Sequence, residues 1–356
     1  VQGCYFMLVL AVALFAASQY FSPIILRDII ESPQVYGATA DYLHWRTYGI
    51  FFSFLCVMFR AYYVGITQTK ILTVNSIVML LSNVALNYCL IFGKGGFPAA
   101  GIAGAAIASS VSEAVSLLFF IIYTSMTADK RKYGFRRAFT LRPHLLKGML
   151  SISGWTMVQS FISVSIWFIF FLAIEHLGER PLAVTNIVRN ISALLIMVIS
   201  AFATTAGALI SNQIGAGEQR CLFKTCGMTL KLTYAILLPL LIILCLFPEF
   251  VLRAFTDSPS LIAASVNSVY VMASSTLIMA PSFILFNAVS GTGNTKAGFI
   301  MEMISLAVYT AVIYYGIIRF KPDVALCWFS EHVYGVTLII LAWWYLKSGK
   351  WRGKKV

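Results

Sequence analysis

The sequence predicts an all-α integral membrane protein made of two related helical bundles. Three observations carry that prediction. Hydrophobic residues make up 60% of the 356-residue chain and only 11% are charged, with a mean hydropathy of +0.85, whereas a water-facing surface keeps roughly a quarter of its residues charged. Apolar runs of about 20 residues or more, each long enough to cross a hydrocarbon core of about 30 Å, recur along the chain. Loop signatures also recur at a constant offset: Leu26-Arg27 returns as Leu252-Arg253, 226 residues later.

Inside a bilayer the backbone finds no water to bond, so helices are the spanning form. Apolar runs between charged or Gly/Pro-rich breaks place ten of them. The first, near 4–26, stops at Arg27-Asp28. The second and third, near 44–66 and 71–93, are divided at Gln68-Thr69-Lys70, and the third ends in Gly93-Lys94-Gly95-Gly96. The fourth, 101–127, opens on a Gly/Ala stretch and runs out into the basic segment that starts at Lys130. The fifth and sixth lie near 146–174 and 181–213. The sixth is too long for a simple crossing and tilts or extends beyond the bilayer. The seventh, near 227–250, follows Lys224. The last three, near 261–289, 297–318 and 324–346, are separated by Gly291 to Lys296 and by Arg319 to Lys321.

Lysine and arginine orient these spans. The loops after the even-numbered spans up to the eighth, together with the C-terminal tail, hold eighteen of the 26. They include Arg60, Lys70, a cluster from Lys130 to Arg142, Lys147, Arg220, Lys224, Lys231, Lys296 and the tail from Lys347. The opposite loops hold seven (Arg27, Arg46, Lys94, Arg180, Arg253, Arg319 and Lys321), and Arg189 lies within a span. The positive-inside rule puts the richer side and the C-terminus in the cytoplasm. The formal charge of +13 then reflects this asymmetry and contact with anionic lipid, with no nucleic-acid partner required.

The repeat extends beyond one dipeptide. Glu31-Ser32-Pro33 returns as Asp257-Ser258-Pro259, and Gly65 with Gln68-Thr69-Lys70 as Gly291 with Asn294-Thr295-Lys296; Tyr88 falls on Tyr314. The matched segments are six spans apart, so both copies face the same way. That predicts two bundles related by an axis along the membrane normal around a central cavity, an arrangement suited to alternating access. The second copy begins near His144, and the same offset puts the start of the first about 80 residues before Val1. The expectation is an intact protein of six plus six helices. Residues 1–143 would be the last four helices of the first bundle, and residues 144–356 the second bundle with a basic tail.

Other classes find little support. The four histidines (His44, His144, His176 and His332) are scattered, and no nucleophile–base or metal constellation accompanies them. The seven cysteines sit mostly in apolar runs, where they act as small hydrophobes. Cys221 and Cys226 lie in a basic loop without histidine neighbours, so no zinc site is expected. Val1 begins a run with no signal-peptide features, so the start is read as a truncation.

Three motifs in this order, with the repeat, resemble the multidrug and toxic compound extrusion family of transporters. They are Gly101-Ile102-Ala103-Gly104-Ala105-Ala106-Ile107-Ala108-Ser109, then Asn212-Gln213-Ile214-Gly215-Ala216-Gly217-Glu218, then Gly291-Thr292-Gly293-Asn294-Thr295-Lys296. The likeness runs from the third to the twelfth helix of that fold. Physically, Gly101, Gly104, Ala105 and Ala108 let helices approach closely, and Gly291 and Gly293 suit a tight turn.

Polar residues within the apolar runs are the candidates for function, because they need partners there. Asn83 and Asn87 are four residues apart and share a helix face. They offer carbonyls for a cation or partners for a protonated carboxyl; the alternative is interhelical hydrogen bonding without an ion. The family resemblance implies a cation site (sodium) at this pair, with Ser109 nearby and an aspartate of the family's first helix as the acidic partner. Glu113, one turn from Ser109, is read as an acid that is either paired or kept neutral by desolvation, and that carries a coupling proton or bonds a neighbouring helix. Arg189, with Asn186 and Asn190, lies at a depth similar to Glu331. These residues pair, or line the outer mouth of the cavity, or play a structural role. Glu302 is placed near the cytoplasmic interface, as a gate contact or solvated group. Some sodium-driven relatives carry acids in the seventh and tenth family helices; here those spans offer Gln159 and Ser274-Ser275-Thr276, which moves the expected cation site to the first bundle and leaves Gln159 as an expected substrate-cavity residue beside Asn186, Arg189, Asn190 and Glu331. Trp155, Trp167, Phe168, Phe170 and Phe171 face lipid or form part of a greasy cavity wall.

The function expected is a Na+- or H+-coupled antiporter that exports amphipathic organic compounds across the inner membrane. It needs no cofactor and no catalytic residue, meets small-molecule substrate and membrane lipid, and works as a monomer. The alternative is a lipid-linked oligosaccharide or lipid flippase of the same broad fold group, although such proteins tend to carry several cavity arginines.

Overall fold

The computed structural model describes residues 2–29, 33–127 and 143–351. The basic cluster from Lys130 to Arg142, the tail beyond Trp351 and the Glu31-Ser32 half of one repeat signature lie outside the described residues.

All secondary structure among the described residues is helical. The helices are α1 (Gln2–Ile29), α2 (Pro33–Gly65), α3 (Lys70–Phe92), α4 (Gly101–Thr127), α5 (Pro143–Glu175), α6 (Glu179–Gly215), α7 (Leu222–Leu246), α8 (Pro248–Leu252), α9 (Pro259–Gly291), α10 (Thr295–Val312), α11 (Val324–Cys327) and α12 (Ser330–Ser348). A 3-10 turn, Gln219–Cys221, leads into α7, and a π-helical run, Ile313–Arg319, prolongs α10. Ten stretches of helix among the described residues are long and apolar enough to cross a membrane, so the chain is a multi-pass membrane protein. The sixth is the longest at 37 residues, about 55 Å at 1.5 Å per residue, more than a bilayer core requires.

The second span differs most from its sequence expectation. It starts at Pro33, eleven positions before the expected 44, because proline suits the first helical position and no further proline follows up to Trp45. Arg46, counted above with the loops, lies in the middle of α2, well away from either end. The last span is also interrupted, with α11 and α12 separated by a turn at Trp328 and Phe329.

The chain divides into two compact units, Val1–Gly148 and Met149–Val356. In the first, α1 packs on α2, while α2 and α3 both pack on α4. Its core is small: Cys56, Tyr63, Ile71, Leu117 and Phe120, with Phe59 stacked on Phe120 at a ring separation of 5.5 Å. In the second unit α6 lies along α9, α7 packs on both, and α12 contacts α9 and α10. The internal repeat is visible in the elements themselves. α2 (Pro33–Gly65) and α9 (Pro259–Gly291) have the same length and share both bounds at the sequence offset, and α12 joins α9 and α10 as α4 joins α2 and α3.

Small residues set the closest approaches. A Cβ on Gly104 would stand 2.5 Å from the Leu90 carbonyl oxygen of α3, and one on Gly291 would stand 2.5 Å from the Gly207 carbonyl oxygen of α6. Gly291 is thus a helix-crossing residue, while Gly293, with φ +78°, makes the turn. Gly104 and Ala108 are buried as close packing predicts, but Gly101 is exposed.

Candidate functional site

In the first unit, α3 and α4 enclose a run of neutral polar groups. The cause is local: Asn75, Asn83 and Asn87 recur near helical spacing on α3, opposite Ser109, Ser112 and Ser116 on α4. Asn75 is fully buried and exchanges hydrogen bonds with Ser116, Nδ2 to Oγ at 2.8 Å and Oγ to Oδ1 at 3.1 Å. Asn83 Nδ2 donates to Ser112 Oγ at 3.3 Å and Ser109 Oγ at 3.5 Å, while Asn87 Nδ2 donates to Asn83 Oδ1 at 2.9 Å. The Oδ1 of Asn87 is buried and has no hydrogen-bond partner. The expected trio of Asn83, Asn87 and Ser109 is therefore in one place, with one carbonyl oxygen unused.

Of the alternatives open for Glu113, a bond to a neighbouring helix is the one seen. Its two carboxylate oxygens accept hydrogen bonds from Arg46 of α2, the one ion pair among the described residues. Gly49 makes room: a Cβ there would collide with Arg46 Nη1, Glu113 Oε2 and Ser110 Oγ.

The second unit holds an acid, Glu302, whose setting differs from the sequence expectation. Glu302 is 3% exposed, not solvated at an interface. Its Oε1 accepts from Ser163 Oγ of α5 at 2.8 Å and from the Tyr334 hydroxyl of α12 at 2.9 Å, and its Oε2 has no partner. Glu331 accepts from the Tyr309 hydroxyl at 2.8 Å and forms no ion pair with Arg189. The Tyr309 and Tyr334 rings lie edge to face at 5.8 Å. Lys296 misled the placement of Glu302. A usable signal was present, since the repeat offset carries Asn83 onto Tyr309, at the middle of this polar group.

Arg189, Asn190 and Glu331 line one cavity of about 530 Å3, with Ser192, Ser200, Met197, Trp167 and Trp328 among its walls. The Arg189 guanidinium lies 5.1 Å from the Phe171 ring centre and 5.9 Å from that of Trp167, so the charge rests on aromatic faces. Asn186 and Gln159 are not in that wall; the Gln159 carbonyl accepts from Ser163 at 2.9 Å. Of the other aromatics, Phe170 is core, while Trp155 and Phe168 are exposed on the helix surface. Within the Ser274-Ser275-Thr276 run, Ser274 meets His332 Nε2 at 2.9 Å, and Ser275 and Thr276 bond back to Met272.

Ten helices long and apolar enough to cross a membrane among the described residues, with polar groups enclosed inside each unit, define a polytopic helical membrane protein. The chain belongs to the MatE family, whose model matches residues 1–89 and 156–315. It is 25% identical over 269 residues to a protein of Agrobacterium fabrum named probable multidrug resistance protein NorM, which covers 75% of this chain and 57% of that protein. It is also 25% identical over 268 residues to the uncharacterized transporter YisQ of Bacillus subtilis, covering 72% of this chain and 56% of that protein. The chain thus spans little more than half the length of these relatives. Its fold matches a crystal structure of a mutant of the Vibrio cholerae MATE transporter VcmN, with TM-score 0.80 at 14% identity, covering 99% of this chain and 78% of the other.

Proposed function

We propose that this protein is an ion-coupled exporter of small amphipathic organic compounds, moving them across the inner membrane by alternating access, with its C-terminus in the cytoplasm and Na+ or H+ as coupling ion. The observation that supports this most directly is the Asn83–Asn87–Ser109–Ser112 cluster, which keeps an unpartnered amide oxygen within a membrane span. Most buried acceptors are hydrogen-bonded, and a cation or a protonated partner would satisfy this one. The multidrug names borne by relatives agree with this reading. Coupling then requires only that ion and cargo favour different members of one pair of conformations. The reading includes action as a single chain, bathed in lipid, without cofactor or nucleic acid.

The test is efflux of ethidium from cells or liposomes that carry the protein. Export should stop when ionophores collapse the proton and sodium gradients; gradient-independent export would defeat the ion-coupled reading. A second reading, translocation of an anionic lipid-like amphiphile, draws on Arg189 in its aromatic-walled cavity. Stimulation of lipid movement in place of dye efflux would favour it.

A further inference from the structure

One ring contact on the outside of the second unit organises charge and apolar surface together. Phe223, in the first turn of α7, meets Trp343, near the end of α12, at 5.2 Å between ring centres. Both helices pack on α9, and α7 starts where α12 finishes. Arg220 precedes Phe223 by three residues and Lys347 follows Trp343 by four, so the two cations stand one turn closer to the helix ends than the rings. Gly227 and Ile340, at the same spacings in the opposite sense, lie one turn deeper. The seam between α7 and α12 therefore reads cation, aromatic, apolar from its mouth inward, on both helices.

Arg220 and Lys347 are exposed, and neither forms an ion pair among the described residues, not even with Glu218 close by. Lys350 is held differently. Gly349 ends α12 in the left-handed conformation, φ +67°, and the Trp351 indole donates to the Leu346 carbonyl at 2.9 Å. This turn brings Lys350 Nζ to 5.7 Å from the Trp344 ring centre. Deeper in the seam, Phe223, Trp343 and Ile340 are exposed, and a Cβ on Gly227 would meet nothing within 4 Å. Gly227 thus leaves an open furrow where a side chain would stand.

That order of chemistry is the order of a phospholipid. Arginine grips a phosphate at two points, indole rings settle at headgroup level, and an apolar furrow takes an acyl chain. Basic pockets between spans suit anionic headgroups; a zwitterionic lipid would bring its own ammonium against the two cations. We propose that the α7–α12 seam binds an anionic glycerophospholipid, with the phosphate between Arg220 and Lys347 and one acyl chain along Gly227 and Ile340. The site is independent of the cargo and of the ion that drives transport.

The experiment titrates the full chain in detergent micelles with phosphatidylglycerol or phosphatidylcholine and counts retained lipid by native mass spectrometry. Phosphatidylglycerol should be retained in preference, and Arg220→Gln with Lys347→Gln should raise the concentration needed roughly tenfold. Arg60→Gln with Lys70→Gln, which removes two exposed cations of the first unit, should leave it unchanged. Gly227→Leu fills the furrow without altering charge and should also weaken retention. A second readout starts from the unaltered chain: phosphatidylglycerol brominated along its acyl chains should quench tryptophan fluorescence more than brominated phosphatidylcholine, and Trp343→Phe should remove most of that difference. Equal retention or equal quenching by the two lipids overturns the proposal, as does an equal loss in the Arg60 and Lys70 variant or wild-type retention in Gly227→Leu. Release of the lipid by soluble glycerol phosphate also overturns it, since the headgroup alone would be the ligand. So does a dimer in place of bound lipid, since a second copy would then cover the seam.

Discussion

Arg46 on α2 grips Glu113 on α4 at two points, Nη1 to Oε2 at 2.9 Å and Nη2 to Oε1 at 2.6 Å. Two-point guanidinium–carboxylate pairs are among the stronger polar contacts. Each side chain keeps some exposure, 33% for Arg46 and 16% for Glu113. Removing one partner should therefore cost roughly 2–3 kcal/mol, below the roughly 3–5 kcal/mol of a fully buried pair. Glu113→Gln should lower the unfolding temperature in detergent, and Arg46→Gln in the same chain should restore most of it. Full additivity of the two losses would argue that the pair carries no coupling.

Gly49 belongs to the same contact. Gly49→Ala forces a methyl group into Arg46, Glu113 and Ser110, so it should destabilise the protein about as much as Glu113→Gln. It should add little once Arg46 and Glu113 are both replaced by glutamine. Thermal unfolding of the single and triple variants checks this.

Gly291 lies against the Gly207 backbone, and backbone cannot rotate aside as a side chain does. Gly291→Ala should cost on the order of 1–3 kcal/mol through overpacking. Gly148→Ala, whose Cβ would meet nothing within 4 Å, is the matched control and should be near neutral. Equal melting of the two variants would contradict the close α6–α9 crossing.

Asn83 is the hub of its cluster, since it accepts from Asn87 and donates to two serines. Asn83→Ala and Asn87→Ala should each reduce gradient-driven ethidium efflux about tenfold, the equivalent of ~1.4 kcal/mol, at unchanged membrane expression. Wild-type efflux in both would remove the pair from the mechanism.

At Arg189 the charge and the planar stack can be separated. Arg189→Lys keeps the charge but loses the flat guanidinium over Phe171 and Trp167, a contact worth about 0.5–2 kcal/mol. Apparent affinity for a charged dye should fall severalfold in Arg189→Lys and change further in Arg189→Ala. Unaltered affinity in both would exclude this cavity from cargo binding.

The number of spans, their helical nature and the repeat were legible because each depends on local pattern: the length of an apolar run, the charges that end it, the spacing of loop residues. Asn83 and Asn87 were legible for the same reason, being one turn apart on one helix. The meeting of Arg46 with Glu113 was not, since the two are 67 residues apart, nor that of Ser163 with Glu302, 139 residues apart. Helix packing alone sets which faces of distant spans touch. It also decided burial: Glu302 looked interfacial by its distance from Lys296, yet α5 and α12 close over it. Local chemistry thus determined that ten helices among the described residues are long and apolar enough to cross a membrane, while the tertiary structure decided which polar groups find partners there and which are left with a free oxygen.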